Sequence, residues 1–134
     1  MLSKSLFMIV LLDTNILLAP GRSRLDVLSE IEKLLDRKPE YVVLSPCFDE
    51  IKSLAAGKSR NAPAARVALK IVKESGVRVV QAKGKPDEAI LEWAKANAAL
   101  KPLVCTNDAA LKKLLRKAGV RVACVREKNR MAFC

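Results

Sequence analysis

Apolar residues arrive along this chain in short unbroken runs, separated by stretches in which they recur at helical spacing. Phe7 to Leu12 is the first run, and it reads as a strand buried on both faces. It stops on Asp13-Thr14-Asn15, and the chain turns apolar again at once. After a short turn through Pro20 and Gly21, Leu25, Leu28, Ile31, Leu34 and Leu35 repeat as one face of a helix. Tyr41 to Leu44 is a second strand. Ser45-Pro46 then supplies a capping residue and a proline at the first helical position, opening a helix that carries Phe48, Ile51 and Leu54. Residues 57–63, GKSRNAP, form a polar, basic loop. The long helix after it presents Val67, Leu69, Ile71 and Val72, and Gly76 stops it. Val77 to Val80 is the third strand, and QAKGKP is the loop that follows. Asp87 opens a helix with Ile90, Leu91, Trp93 and Ala94. Leu103 to Thr106 is the fourth strand, Asp108 to Ala118 a helix ended by Gly119, Val120 to Val125 the fifth strand, and REKNRMAFC a tail.

Strands and helices therefore alternate, with an extra helix after the first strand. Helical crossovers between buried strands imply right-handed connections and a parallel sheet covered on both faces, an α/β three-layer fold. The chain has 134 residues, a length that fits one domain spanning 1–134 and buries roughly 70% of its unfolded surface. There is no linker, internal repeat or low-complexity segment.

Charge changes the picture. Twenty-five Lys and Arg against 14 Asp and Glu leave a formal +11, which points to a polyanionic partner, nucleic acid first and an anionic membrane second. Histidine is absent, so the commonest general base and the commonest transition-metal ligand are both missing. Cys47, Cys105, Cys124 and Cys134 show no C-x-x-C spacing, which excludes a zinc ribbon and a dithiol redox motif and leaves four free thiols as the expectation. Asp13 ends the N-terminal apolar run early, and no stretch approaches the roughly 20 apolar residues of a spanning helix. The expectation is a cytoplasmic protein without a membrane partner, in which Met8 is an alternative start and residues 1–7 an extension of little importance.

The acids carry the chemistry. Asp13 follows strand one, Glu50 lies early in the helix after strand two, Asp87 and Glu88 open the helix after strand three, and Asp108 follows strand four. In a parallel sheet the carboxyl ends of the strands share one rim, where α/β proteins bind ligands. Each acid taken alone is also an ordinary first-turn residue favoured by the helix dipole. Together, four carboxylates on one rim repel one another unless a cation neutralises them. Oxygen ligands without histidine suit Mg²⁺ or Mn²⁺ rather than zinc, as one ion or as two about 4 Å apart. Such a site activates water against a phosphodiester. Lys58, Arg60, Lys83 and Lys85 sit in loops and are the RNA-binding candidates, whereas Lys112, Lys113, Arg116 and Lys117 read equally as the solvated face of an amphipathic helix. With aromatic residues at only 4%, an aromatic stacking platform is not expected, and Trp93 reads as core.

LLDTNILL (11–18), the acid in SPCFDEIKSL (45–54), PDEAILEWA (86–94) and VCTNDAALKKLL (104–115) together resemble the PIN-domain nucleases in order and spacing. The resemblance implies a five-stranded parallel sheet of Rossmann-like topology and a Mg²⁺- or Mn²⁺-dependent endoribonuclease. It places Asp13, Glu50, Asp87 and Asp108 as metal-binding catalytic acids, Asn15 and Thr106 as supporting polar residues, and Glu88 as an extra ligand. Within the family the chain is similar to the small archaeal branch related to pre-ribosomal RNA processing, through DTN-x-L-L-x-P, RVALKIVK (66–73) and LKKLLRKAGVRV followed by a basic tail. That branch implies a ribosome-assembly partner. VapC-type toxins share the acids, and likeness to them implies an antitoxin partner and a homodimer.

Rival assignments lack their required residues. A haloacid-dehalogenase phosphatase needs an Asp where Asn15 stands. GKS at 57–59 lacks the strand and glycine of a P-loop, no G-x-G-x-x-G follows strand one, and a receiver domain would place its Asp where QAKGK lies. A non-enzymatic RNA-binding or assembly module remains the alternative that the basic residues do not separate from a nuclease.

Overall fold

Val10, Leu11 and Leu12 are wholly buried because their strand has a neighbour on each side and helices above and below. The structure is a computed structural model that describes residues 8–134; the expectations that Phe7 begins the first strand and that residues 1–7 are an extension lie outside the described residues. The described α-helices and strands are β1 (Ile9–Leu12), α1 (Thr14–Ser23), α2 (Val27–Leu35), β2 (Glu40–Leu44), α3 (Ser45–Ala56), α4 (Ala62–Glu74), β3 (Arg78–Val80), α5 (Pro86–Ala96), β4 (Leu103–Cys105), α6 (Ala109–Lys117), β5 (Arg121–Arg126) and β6 (Arg130–Phe133), with a 3₁₀ turn at Ala98–Leu100. The sheet order is β3-β2-β1-β4-β5-β6. β1 pairs in parallel with β2 (Val10 opposite Tyr41) and with β4 (Leu12 opposite Cys105). Strand order reverses between β1 and β4, and the crevice at their carboxyl ends is where such sheets bind ligands.

The α/β architecture expected from the alternating pattern is present, but the sheet has six strands rather than five, and it is not wholly parallel. The tail folds back as β6, antiparallel to β5, with Val125 opposite Met131. Glu127 and Lys128 turn the chain, both at positive φ (55° and 63°). Neither is the glycine or asparagine that signals such a turn, so the sequence reads as a tail. Burial of Met131 holds the added strand down.

The turn expected at Pro20-Gly21 is instead part of α1, which continues to Ser23. Contact with α4 decides this. A Cβ on Gly21 would lie 2.5 Å from the Ala64 Cα, so the two helices approach as closely as glycine allows. α4 meets its neighbours through Ala64, Ala65 and Ala68, which are buried; Val67, expected on its apolar face, is 39% exposed. Ser45, expected to cap α3, lies within it and ties to the loop after β3 instead, accepting from Ala82 N (3.0 Å) and donating to Ala82 O (3.2 Å).

Cys47 and Cys105 are free, as expected of the cysteines, and both are buried. Cys124 and Cys134 are not free: the β5–β6 hairpin brings their Cα atoms to 6.2 Å and the two sulfurs pair. Among the described residues no helix is long and apolar enough to cross a membrane.

Candidate active site

Asp13 is the best-held side chain at the sheet's carboxyl rim. It is 4% exposed, directly after β1, and serves as N-cap of α1. Its Oδ1 accepts from Thr14 N at 2.7 Å and faces the Cys47 sulfur at 3.8 Å. Its Oδ2 accepts from Thr106 Oγ1 at 2.6 Å and from Asn15 Nδ2 at 3.2 Å. Asn15 in turn accepts from Asn107 N at 3.0 Å, so the segment after β1 is laced to the segment after β4. Asp108 caps α6 by accepting from Leu111 N at 2.9 Å, and its own N–H donates to Thr106 Oγ1 at 3.1 Å. A buried carboxylate with several short hydrogen bonds is fixed in position even where its ionisation is costly.

The other acids come from the flanking helices. Glu50 projects from α3, and its Oε1 accepts from Thr14 Oγ1 at 2.7 Å. Asp87 stands in the first turn of α5, whose approach is set by the Ser45–Ala82 hydrogen bonds. Asp13, Glu50, Asp87 and Asp108 all line one open cleft of about 580 Å³ at the β1–β4 crevice. Glu88 lines it as well, but its Oε1 accepts from Lys85 N at 3.4 Å and closes the first turn of its own helix.

The electrostatics follow from this crowding. Burial is the largest influence on Asp13 and raises its pKa above the ordinary 3.8; hydrogen bonds from Thr106 and Thr14 oppose it, and the charges of Asp87 and Glu50 add to it. Asp87 is raised by desolvation first, then by Asp108 and Glu50. Ion pairs among the described residues involve none of these acids. Burial, and then the Asp13 charge, push the Cys47 thiol up to about 12, so it stays protonated and is no nucleophile.

The chemistry of the donor set fits a hard divalent cation, since every candidate ligand is an oxygen and the five carboxylates that line the cleft outnumber its two cations, Arg22 and Lys85. Among the described residues no three His, Cys, Asp or Glu side chains close tightly enough to hold an ion by themselves. Mg²⁺ is commonly held by one or two carboxylates together with waters and substrate phosphates.

All four acids read from the sequence are thus brought together, and Asn15 and Thr106 both grip Asp13. Of the basic candidates, Lys85 lines the cleft, whereas Lys58, Arg60 and Lys83 are exposed in loops outside its lining. Four residues at the site were not singled out. Thr14 and Asn107 lie inside the DTN and TND motifs, and their polarity was the available signal. Arg22 lies beside the supposed turn, and Asn61 in a loop read only for its charge; both line the cleft.

A family model described as a PIN-like domain matches residues 10–128. Ribonuclease VapC4 of Methanocaldococcus jannaschii is 34% identical over 120 residues, covering 87% of this chain and 89% of that protein. The solved structure of the PIN domain endonuclease Utp24 matches the fold with a TM-score of 0.77 at 22% identity, covering 93% of this chain and 90% of that one.

Proposed function

The chain belongs to the PIN-like domain family, and on that premise we propose that it is a divalent-metal-dependent endoribonuclease hydrolysing RNA phosphodiester bonds. The observation that carries this is the convergence of Asp13, Glu50, Asp87 and Asp108 on one cleft with no cation paired to any of them among the described residues. Asp13, Glu50, Asp87 and Asp108 would hold Mg²⁺ or Mn²⁺, as one ion or two. When bound, such an ion polarises the phosphoryl oxygens and lowers the pKa of water.

The chain's own residues do the rest. Thr106 and Asn15 fix the Asp13 carboxylate, and Thr14 fixes Glu50, so the acids are oriented before substrate arrives. With no histidine in the chain, removal of the attacking water's proton falls to a carboxylate of the cleft. Lys85 at the rim, with the basic surface beyond it, receives the RNA backbone.

Two measurements test this. Calorimetry should show Mn²⁺ binding by the wild type and none by Asp13→Asn. Purified Asp13→Asn and Asp108→Asn should lose metal-dependent cleavage of RNA. Variants that cut as fast as wild type would remove these acids from the mechanism. Absence of metal binding together with retained RNA binding would leave an RNA-binding module.

For the substrate, likeness to Ribonuclease VapC4, which spans most of both chains, favours a toxin-type ribonuclease held by a protein antitoxin. Growth arrest on expression, relieved by a co-expressed neighbouring gene product, is the expected result. Co-sedimentation with small-subunit precursors and loss of pre-ribosomal RNA cleavage on depletion would instead assign it to ribosome assembly, the role the sequence pattern suggested.

A further inference from the structure

We propose that Arg22, held by Asn61, anchors a phosphate of the RNA strand about three nucleotides from the scissile one, and that Leu18 and Leu54 form the apolar floor under the nucleotides between them. This rests on the nuclease reading of the acids and names how the strand lies across them.

Thr14, Leu18 and Arg22 are spaced four apart on α1, so they form one stripe on one helix face, and all three line the cleft. Glu50 and Leu54 form the matching stripe on α3. The cleft therefore has a direction. At one end Thr14 and Glu50 share a hydrogen bond beside Asp13. Two leucines follow. At the far end stand Arg22 and Asn61, whose side chains meet with Arg22 Nη2 donating to Asn61 Oδ1 at 2.8 Å. Eight helical residues put Arg22 about 12 Å along α1 from Thr14. A stacked strand rises about 3.4 Å per nucleotide, so Arg22 stands about three nucleotides along the strand from the phosphate attacked.

Arg22 also has an ordinary explanation, as a cation in the last turn of a helix, where the dipole favours it. Asn61 distinguishes the two. It stands at the N-cap of α4, where asparagine usually accepts from its own helix, yet its side chain makes no capping bond. Its carbonyl oxygen is turned to the guanidinium instead. One of five N–H donors is thereby used to aim the group, and the others are left without a protein acceptor among the described hydrogen bonds, in a residue that lines the open cleft. The contact of Gly21 with Ala64 brings the helices close enough for the pair to form. A planar fork held in place suits a phosphate better than a mobile lysine does.

The test is fluorescence anisotropy of a short labelled single-stranded RNA with the full chain, in Mn²⁺ and as a function of salt. Binding to the catalytically inert Asp108→Asn background is compared with the same protein carrying Arg22→Ala, Arg22→Lys, Asn61→Ala or, as control, Lys117→Ala. Arg22→Ala should weaken binding about tenfold and lower the salt slope by about 0.7, the value for one phosphate contact on a single strand. Asn61→Ala should weaken binding less and keep the slope, because the charge remains. In the active protein Arg22→Ala should raise KM with little change in kcat. Calorimetric Mn²⁺ binding should match wild type, which separates this subsite from the metal site. An Arg22→Ala variant with wild-type affinity and slope overturns the subsite while leaving the nuclease reading intact. A wild type that binds Mn²⁺ but no RNA overturns both.

Discussion

Thr106 Oγ1 donates its hydrogen to Asp13 Oδ2 at 2.6 Å across 93 residues of sequence, and Thr106 Oγ1 itself accepts the Asp108 N–H at 3.1 Å. One buried hydroxyl thus joins the acid after β1 to the acid after β4, at the point where strand order reverses. Replacing it by valine keeps the shape and removes both hydrogen bonds. Thr106→Val should lower the unfolding free energy by about 2 kcal/mol, since a charged buried acceptor loses its donor. It should also weaken Mn²⁺ binding about 10- to 100-fold, as loss of a partner that orients a ligand does. Denaturant melts and calorimetry check the two effects, and Thr106→Ser should restore both.

The raised pKa values give a pH dependence of definite sign. Asp13 and Asp87 are both held above the ordinary 3.8 in the folded chain. Their contribution to stability is fully present below that value and is lost as pH rises through the folded pKa values. Metal-free protein should therefore lose thermal stability over that rise. Saturating Mn²⁺ should reverse the trend, because it binds only the deprotonated acids. Melting temperatures across the acid range, with Mn²⁺ and with chelator, decide it; parallel curves would mean that these acids hold no ion.

Among the described residues the Asp87 side chain has no hydrogen-bond partner, and desolvation and then its neighbours Asp108 and Glu50 raise its pKa. Asp87→Asn should leave metal-free protein slightly more stable, by about 0.5 kcal/mol once its solvent exposure is discounted, while abolishing metal-dependent cleavage. A loss of stability would show that Asp87 is structural. Chemical denaturation beside an RNA cleavage assay reads both.

Gly21 fits against Ala64 with no room for a side chain. Gly21→Ala should cost about 1–3 kcal/mol, because the atom in the way is backbone and α1 must move off α4. The same shift separates Arg22 from Asn61, so RNA affinity should fall with stability, measurable by melting and anisotropy on one preparation.

Met131 is 4% exposed on β6 and lies opposite Val125. Met131→Ala should destabilise by about 2–3 kcal/mol and loosen the last strand, leaving the edge of β5 open to pairing between molecules. Urea titration and light scattering report these effects.

Much of this was legible in the sequence because it is local. The apolar runs from Tyr41 to Leu44 and from Leu103 to Cys105 could satisfy their backbones only as strands between neighbours, and the helical spacing between them forced crossovers. Parallel strands then place acids that follow them on one rim, so Asp13 and Asp108 could be assigned together without a structure. Three things depended on contacts far apart in sequence. Whether Pro20-Gly21 turned or stayed helical was settled by Ala64, 43 positions from Gly21, which admits only a bare backbone. Whether the last residues formed a strand was settled by the free edge of β5 and burial of Met131. The partners of the acids, Thr14 with Glu50 and Thr106 with Asp13, lie 36 and 93 residues apart. Sequence fixes which groups need partners, through burial and charge; only packing brings a particular hydroxyl within hydrogen-bond reach of a particular carboxylate.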